Sequence, residues 1–217
     1  MGRIPEQVIK KSADFKLVVT IALKREVPKD FFISHGIPVH TLAALKSGAL
    51  KQSNPPSGML VIITGAGLQA SEEAALRIRD SLRPLFVVNI GTCGLTSRSL
   101  PLSEWLTPQY VANEEGGIVE INTKLPSPFS GKIKDIHSLI TVRKASLGNL
   151  PETWKAHDAI DMECFPQAKI FREAQIPFHC LKFGTDYSDH NAVQDFNRHI
   201  KLFIENLKKL FRFAVQK

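Results

Sequence analysis

Cysteine is scarce: Cys93, Cys164 and Cys180 are the three in 217 residues. Their spacing fits neither a disulfide framework nor a CxxC metal site, so reduced thiols in a reducing compartment are expected. No apolar run approaches the roughly 20 residues that span a bilayer. The longest are Leu17–Leu23 and Met59–Thr64. The opening MGRIPEQVIKKS lacks the apolar core of a signal peptide, and Glu6 stands where a myristoylation signal carries Ser or Thr. The glycine-rich turns lack the Lys-Ser/Thr of a P-loop and the full GxGxxG spacing, which excludes the usual NTP and NAD signatures. His179, His190 and His199 form no cluster with metal spacing, and no Cys/His arrangement resembles a thiol enzyme. No metal, no cofactor and no membrane partner are expected, and the chain reads as soluble and cytoplasmic.

What is present is ordinary globular material, 43% apolar and 23% charged, with a net charge of +7. Basic excess permits nucleic-acid binding without establishing it. Six cations (Arg198, Lys201, Lys208, Lys209, Arg212 and Lys217) crowd the C-terminal stretch against one acid, Glu205. Phe196, Ile200, Phe203, Ile204, Leu207, Leu210 and Phe211 recur there at helical spacing. That pattern favours a helix docked on the core with a solvated basic face over a nucleic-acid surface.

Strand-like and helix-like segments alternate. Lys16–Leu23, Ile37–Leu42, Leu60–Thr64, Leu85–Ile90, Trp105–Asn113 and Pro177–Phe183 read as strands. Ala70–Leu82, Ile160–Ala174 and the C-terminal stretch read as helices, while Ser53–Gly58 and Pro126–Gly131 read as surface loops. The expectation is α/β: a single domain over residues 1–217, three layers deep, with a mostly parallel, mixed and twisted sheet between helices. Such sheets bind ligands at the carboxyl ends of their strands. Four informative turns fall there: Lys24-Arg25-Glu26, Thr64-Gly65-Ala66-Gly67, Gly91-Thr92-Cys93-Gly94 and Gly184-Thr185-Asp186. Taken singly each is a weak signal, since a glycine after a strand is usually just a turn and Glu26 or Asp186 alone would read as a surface or capping carboxylate.

The combination resembles the purine nucleoside phosphorylase and nucleosidase superfamily, closest to the 5'-methylthioadenosine/S-adenosylhomocysteine nucleosidases. The anchors are IALKREV (Ile21–Val27), ITGAG (Ile63–Gly67), VVNIGTCG (Val87–Gly94), AIDMEC from Ala159, and PFHCLKFGTDYSD (Pro177–Asp189). The region Glu114–Pro151 matches poorly.

The resemblance implies cleavage of an N-ribosidic bond in a purine nucleoside, and a homodimer. It gives Asp186 the role of protonating the departing base, which requires a raised carboxyl pKa. Thr185 would orient Asp186, or be a turn residue. Glu163 would bind the ribose hydroxyls and face the positive charge of the transition state. Met162 would pack on the sugar or be plain core. Asp161 would join the site or cap a helix. Glu26 would activate water or be a solvated neighbour of Lys24 and Arg25. Thr64, Gly65, Thr92, Cys93 and Gly94 would line the substrate site.

Two nucleophiles remain open. Related phosphorylases hold phosphate with arginines, and here Glu26 and the neutral Asn89 stand at the corresponding segments, which favours water. GTCG itself is nearer the phosphorylase turn, and Arg25 is available to an anion. The nucleosidases also carry a base-stacking Phe in a GDxF-like segment, replaced here by Ile140–Ala145, so the platform is either missing or supplied elsewhere, by Phe183 or Trp154. That loss leaves room for a third reading, a non-catalytic nucleoside-binding protein. Phe165, where small residues are usual, would narrow the pocket or join a dimer interface.

Overall fold

The computed structural model describes residues 15–47, 58–121, 124–125, 129, 132–145 and 148–215, with side chains to 211. Most of the two proline- and serine-rich stretches lies outside them.

The first strand, β1 (Leu17–Ile21), is buried at every position. A continuous apolar run of this kind suits a strand covered on both faces. It pairs in parallel with β3 (Met59–Ile63) and with β4 (Phe86–Leu95). A short β2 (Val39–Thr41) adds to β3. The strand expected over Ile37–Leu42 is cut short because Thr41 caps a helix, α2 (Leu42–Lys46), its Oγ1 accepting the Ala44 N–H at 3.4 Å. A single 3-10 turn, Lys24–Glu26, leads to α1 (Lys29–Ser34).

The second half contains β5 (Trp105–Asn113), β6 (Ile118–Glu120), β7 (Ile133–Thr141), β8 (Ala159–Asp161) and β9 (Phe178–Asp186). β4 pairs with β9 and β8, β8 with β7, β7 with β5, and β5 with β9. These five strands therefore close into a ring that shares β4 with the open parallel sheet. The register of β4 against β9 shifts between Cys93 and Gly94. Irregularities of this kind re-aim side chains beside functional sites.

Helices cover both faces. α3 (Leu68–Ser81) and α5 (Cys164–Glu173) pack Ala75, Ile78, Ala168 and Phe171 against Val18, Leu60, Val87 and Cys180. On the other face α6 (Ala192–Val215) inserts Phe203, Leu207, Leu210 and Phe211 among Val19, Ile90, Leu181 and Phe183. Phe32 of α1 meets Phe211 edge-on at 4.8 Å. A further short helix, α4 (Glu152–Lys155), lies beyond β7. The expected helix over Ile160–Ala174 starts only at Cys164. Residues 159–161 instead extend beside Leu139–Thr141, where ladder pairing overrides a helix-like local pattern. No helix among the described residues is long and apolar enough to cross a membrane.

Candidate functional site

The carboxyl ends of β1, β4 and β9, with the turn before α5, surround a cavity of about 430 Å³. Three carboxylates from distant parts of the chain line it: Glu26, Glu163 and Asp186.

Glu26 is fixed on both oxygens. Its Oε2 accepts the Leu23 N–H at 3.0 Å and its Oε1 accepts the Thr92 hydroxyl at 2.8 Å. The residue is 2% exposed, and burial raises its pKa against those two hydrogen bonds and the charge of Lys182. Glu163 ends the turn before α5. Its Oε1 accepts the N–H of Gly67, whose φ of 90° puts it in the left-handed region that glycine tolerates. Burial, then the neighbouring Asp161, raises Glu163 to about 7.

Asp186 closes β9. Thr185 donates its hydroxyl to Oδ2 at 2.9 Å, and the Ser188 N–H donates to Oδ1 at 2.9 Å. Burial nevertheless raises its pKa, as a proton-holding group requires. Gly94 makes room for this turn: a Cβ there would lie 2.0 Å from Ser188 Oγ and 2.8 Å from Asp186 Oδ1.

Lys182 is a residue that sequence reading missed. It is 1% exposed, lines the cavity, and forms a 2.7 Å ion pair with Asp161. Burial alone would lower its pKa, but Asp161 and other neighbours reverse this, and it stays well above the ordinary lysine value. The available signal was a lone lysine inside the apolar run FHCLKF, which needs a buried partner to be stable there. Asp161 also accepts the Thr141 hydroxyl at 2.6 Å and the Cys164 N–H at 2.9 Å. It thus caps α5 and anchors Lys182 together, while still lining the cavity.

Met162, Thr92, Cys93, Gly94 and Thr185 also line the cavity. Thr64 and Gly65 do not. Thr64 turns its hydroxyl to the Gly65 carbonyl at 3.0 Å, and Ala66 reaches the wall instead. Phe183 is a correction: it is fully buried on the α6 side, 5.1 Å from the Trp105 ring and 5.8 Å from that of Phe203. Alternation along β9 sends Phe183 to the face opposite Lys182. Trp154 packs beside Val142 and Ile160 and is absent from the wall. The aromatic that does line the cavity is Phe196 of α6, with Arg25 over its ring at 4.5 Å. Its helical spacing made it look like one more core residue. Phe165 packs into the α5-side core and against the backbone of Gly117, outside the wall, so it does not narrow the pocket.

The raised pKa of Glu163 has a stability consequence. Between its ordinary value of 4.5 and about 7 the folded protein keeps a proton that the unfolded chain releases. Stability attributable to this group therefore falls as pH rises through that window, by about 3 kcal/mol in total. Glu163→Gln keeps an oxygen for Gly67 and removes the titration. The variant's thermal midpoint should gain on the parent's as pH rises from 4.5 to about 7. A constant difference across that range would contradict the assignment.

No group of three His, Cys, Asp or Glu side chains among the described residues is arranged to hold a metal ion. No family model and no curated protein matches the chain. Solved structures do. One is a 5'-methylthioadenosine/S-adenosylhomocysteine nucleosidase from Helicobacter pylori with butyl-thio-DADMe-Immucillin-A, at 12% identity and TM-score 0.72, covering 92% of this chain and 97% of that one. The futalosine hydrolase of the same organism aligns at 12% identity and TM-score 0.72, covering 94% and 98%. The nucleosidase from Neisseria meningitidis with methylthio-immucillin-A aligns at 15% identity and TM-score 0.68, covering 92% and 98%. The chain has the fold of these enzymes.

Proposed function

We propose that the protein is a nucleoside hydrolase that cleaves the N-glycosidic bond of a purine nucleoside of the 5'-methylthioadenosine type. The observation that carries this reading is the convergence of Glu26, Glu163 and Asp186 on one cavity of nucleoside size, each with a raised pKa. The likeness in fold to nucleosidases supports it.

Each group has a distinct task. Asp186, holding its proton through burial, donates it to the purine ring nitrogen as the base departs. Glu163 accepts hydrogen bonds from the ribose hydroxyls and faces the cationic sugar. Glu26 takes a proton from the attacking water, and a carboxylate pKa moved toward neutrality makes it a more effective base. The Lys182–Asp161 pair sets the field between them. Met162, Val142 and Phe196 give the substrate apolar walls.

A phosphorylase reading has one observation in its favour: Arg25 lines the cavity without an ion pair among the described residues. The wall carries four acidic side chains, Glu26, Asp161, Glu163 and Asp186, which oppose a phosphate dianion more strongly. The test is a panel of purine nucleosides assayed with and without inorganic phosphate. Release of free base and free sugar in phosphate-free buffer is the expected result. Base release that requires phosphate would transfer the assignment to a phosphorylase, and binding without turnover would make it a binding protein.

A further inference from the structure

A directional chain of buried hydrogen bonds runs from the cavity into the α3/α5 layer. Its end is fixed by the Glu163 carbonyl, which can only accept. Ser71 must therefore give that carbonyl its hydroxyl proton, at 2.6 Å. Ser71 Oγ then accepts from Gln167 Nε2 at 2.9 Å. Gln167 Oε1 accepts the Thr20 hydroxyl at 2.7 Å, and Thr20 Oγ1 accepts from Asn89 Nδ2 at 3.1 Å. Each member's polarity follows from the next, so the orientation of the Asn89 amide is determined by the network.

The consequence lies at the other end. Asn89 is 1% exposed and lines the cavity, and its Oδ1 has no hydrogen-bond partner. A buried acceptor left unpaired is costly, so a donor must meet it in the working protein. On β4, Asn89 and Gly91 share a face by alternation. Lys182 pairs with Gly91, and its Nζ lies 3.5 Å from where a Gly91 Cβ would be. The orphan oxygen therefore belongs to the same face of the sheet as Lys182, whose charge also acts on Glu26.

We infer that Asn89 is the second acceptor for the attacking water. The inference rests on the hydrolase reading above and deepens it. Water carries two O–H groups. One is directed to Glu26, which removes its proton, and the other to Asn89 Oδ1, which leaves a lone pair free to attack the anomeric carbon. As the new C–O bond forms, the C–N bond breaks and the base leaves with the proton from Asp186. Phosphate near neutral pH presents mainly unprotonated, negatively charged oxygens, so the same acceptor disfavours it relative to water.

Methanol provides a discriminating probe, because its single O–H cannot serve both acceptors. In aqueous methanol the parent enzyme should form free sugar in strong preference to methyl glycoside. Asn89→Ala should lower kcat about a hundredfold with KM within about threefold, as expected when a reactant loses its alignment. The ratio of methyl glycoside to free sugar should rise at least about tenfold in the variant. Thr20→Val leaves Asn89 in place but frees its amide, and should shift both quantities in the same direction by a smaller factor. It decides the matter if the Asn89 variant does not fold. An active parent enzyme whose folded variants keep its kcat and product ratio would overturn the role of Asn89 alone. A parent that releases no base would overturn the hydrolase reading and this inference together.

Discussion

Replacing Asp186 with asparagine is expected to lower kcat/KM on a purine nucleoside by about a thousandfold, within the range for loss of a general acid. The fold should survive, because an asparagine oxygen still accepts the Ser188 N–H and the second atom still faces Thr185. What is lost is the transferable proton. The loss should therefore depend on the leaving group. A riboside whose leaving group departs without protonation, such as p-nitrophenolate, should lose less than about tenfold. The pH profile adds a signed test. Burial raises the Asp186 pKa, so the protonated form expected to be active persists to higher pH than an ordinary aspartic acid would allow, and its loss should set the alkaline limb. That limb should vanish in Asp186→Asn. Equal losses on both substrate types would mean that the residue binds the base without protonating it.

The second large effect is on stability. Lys182→Met leaves Asp161 as a buried charge whose ammonium partner is gone. Removing one member of a buried pair costs about 3–5 kcal/mol, which for a chain of this size lowers the thermal midpoint by about 10 °C. The double variant Lys182→Met with Asp161→Asn should recover much of that loss, since asparagine is neutral and still accepts from Thr141 or Cys164. Calorimetry on the two variants separates the pair from generic core damage. If the double variant is no better than the single one, the ion pair is not the source of the cost. Activity should be absent in both, because the field around Glu26 and Glu163 depends on this ammonium.

Much of this molecule was legible in its residues. Runs such as LVVTI and LVIIT announce strands buried on two faces; Glu26 lies in the turn after β1, while Thr92 and Asp186, expected in turns, lie in the last residues of longer strands β4 and β9 at the same end of the sheet. The helix at the C-terminus announced its apolar stripe. Four features resisted. β7 carries Lys134, Asp135 and His137 on exposed positions, so its continuous apolar signal is confined to its last few residues. β8 is three residues long and extended only because β4 and β7 flank it. In sequence Asn89 stands out only for its neutrality, and Lys182 only as a lysine in an apolar run; the role of Lys182 comes from Asp161 and that of Asn89 from Thr20, partners far along the chain. Phe196 failed differently. Helical periodicity shows that a side chain faces inward, and here inward means a cavity wall instead of the core.

The closed ring of strands bears on how the protein comes into being. β9 is the last strand made, yet it lies between β4 and β5, pairing with both. Until it inserts, the ring is open, Lys182 has not reached Asp161, and Asp186 is not in the wall. A nascent chain that has finished only its first half can assemble β1, β3 and β4 but has no site to offer. Ligand capture and completion of the core are thus one late, long-range event, of the kind that folds slowly. A tight inhibitor should consequently behave as a pharmacological chaperone, rescuing destabilised variants by drawing the finished state out of the folding equilibrium.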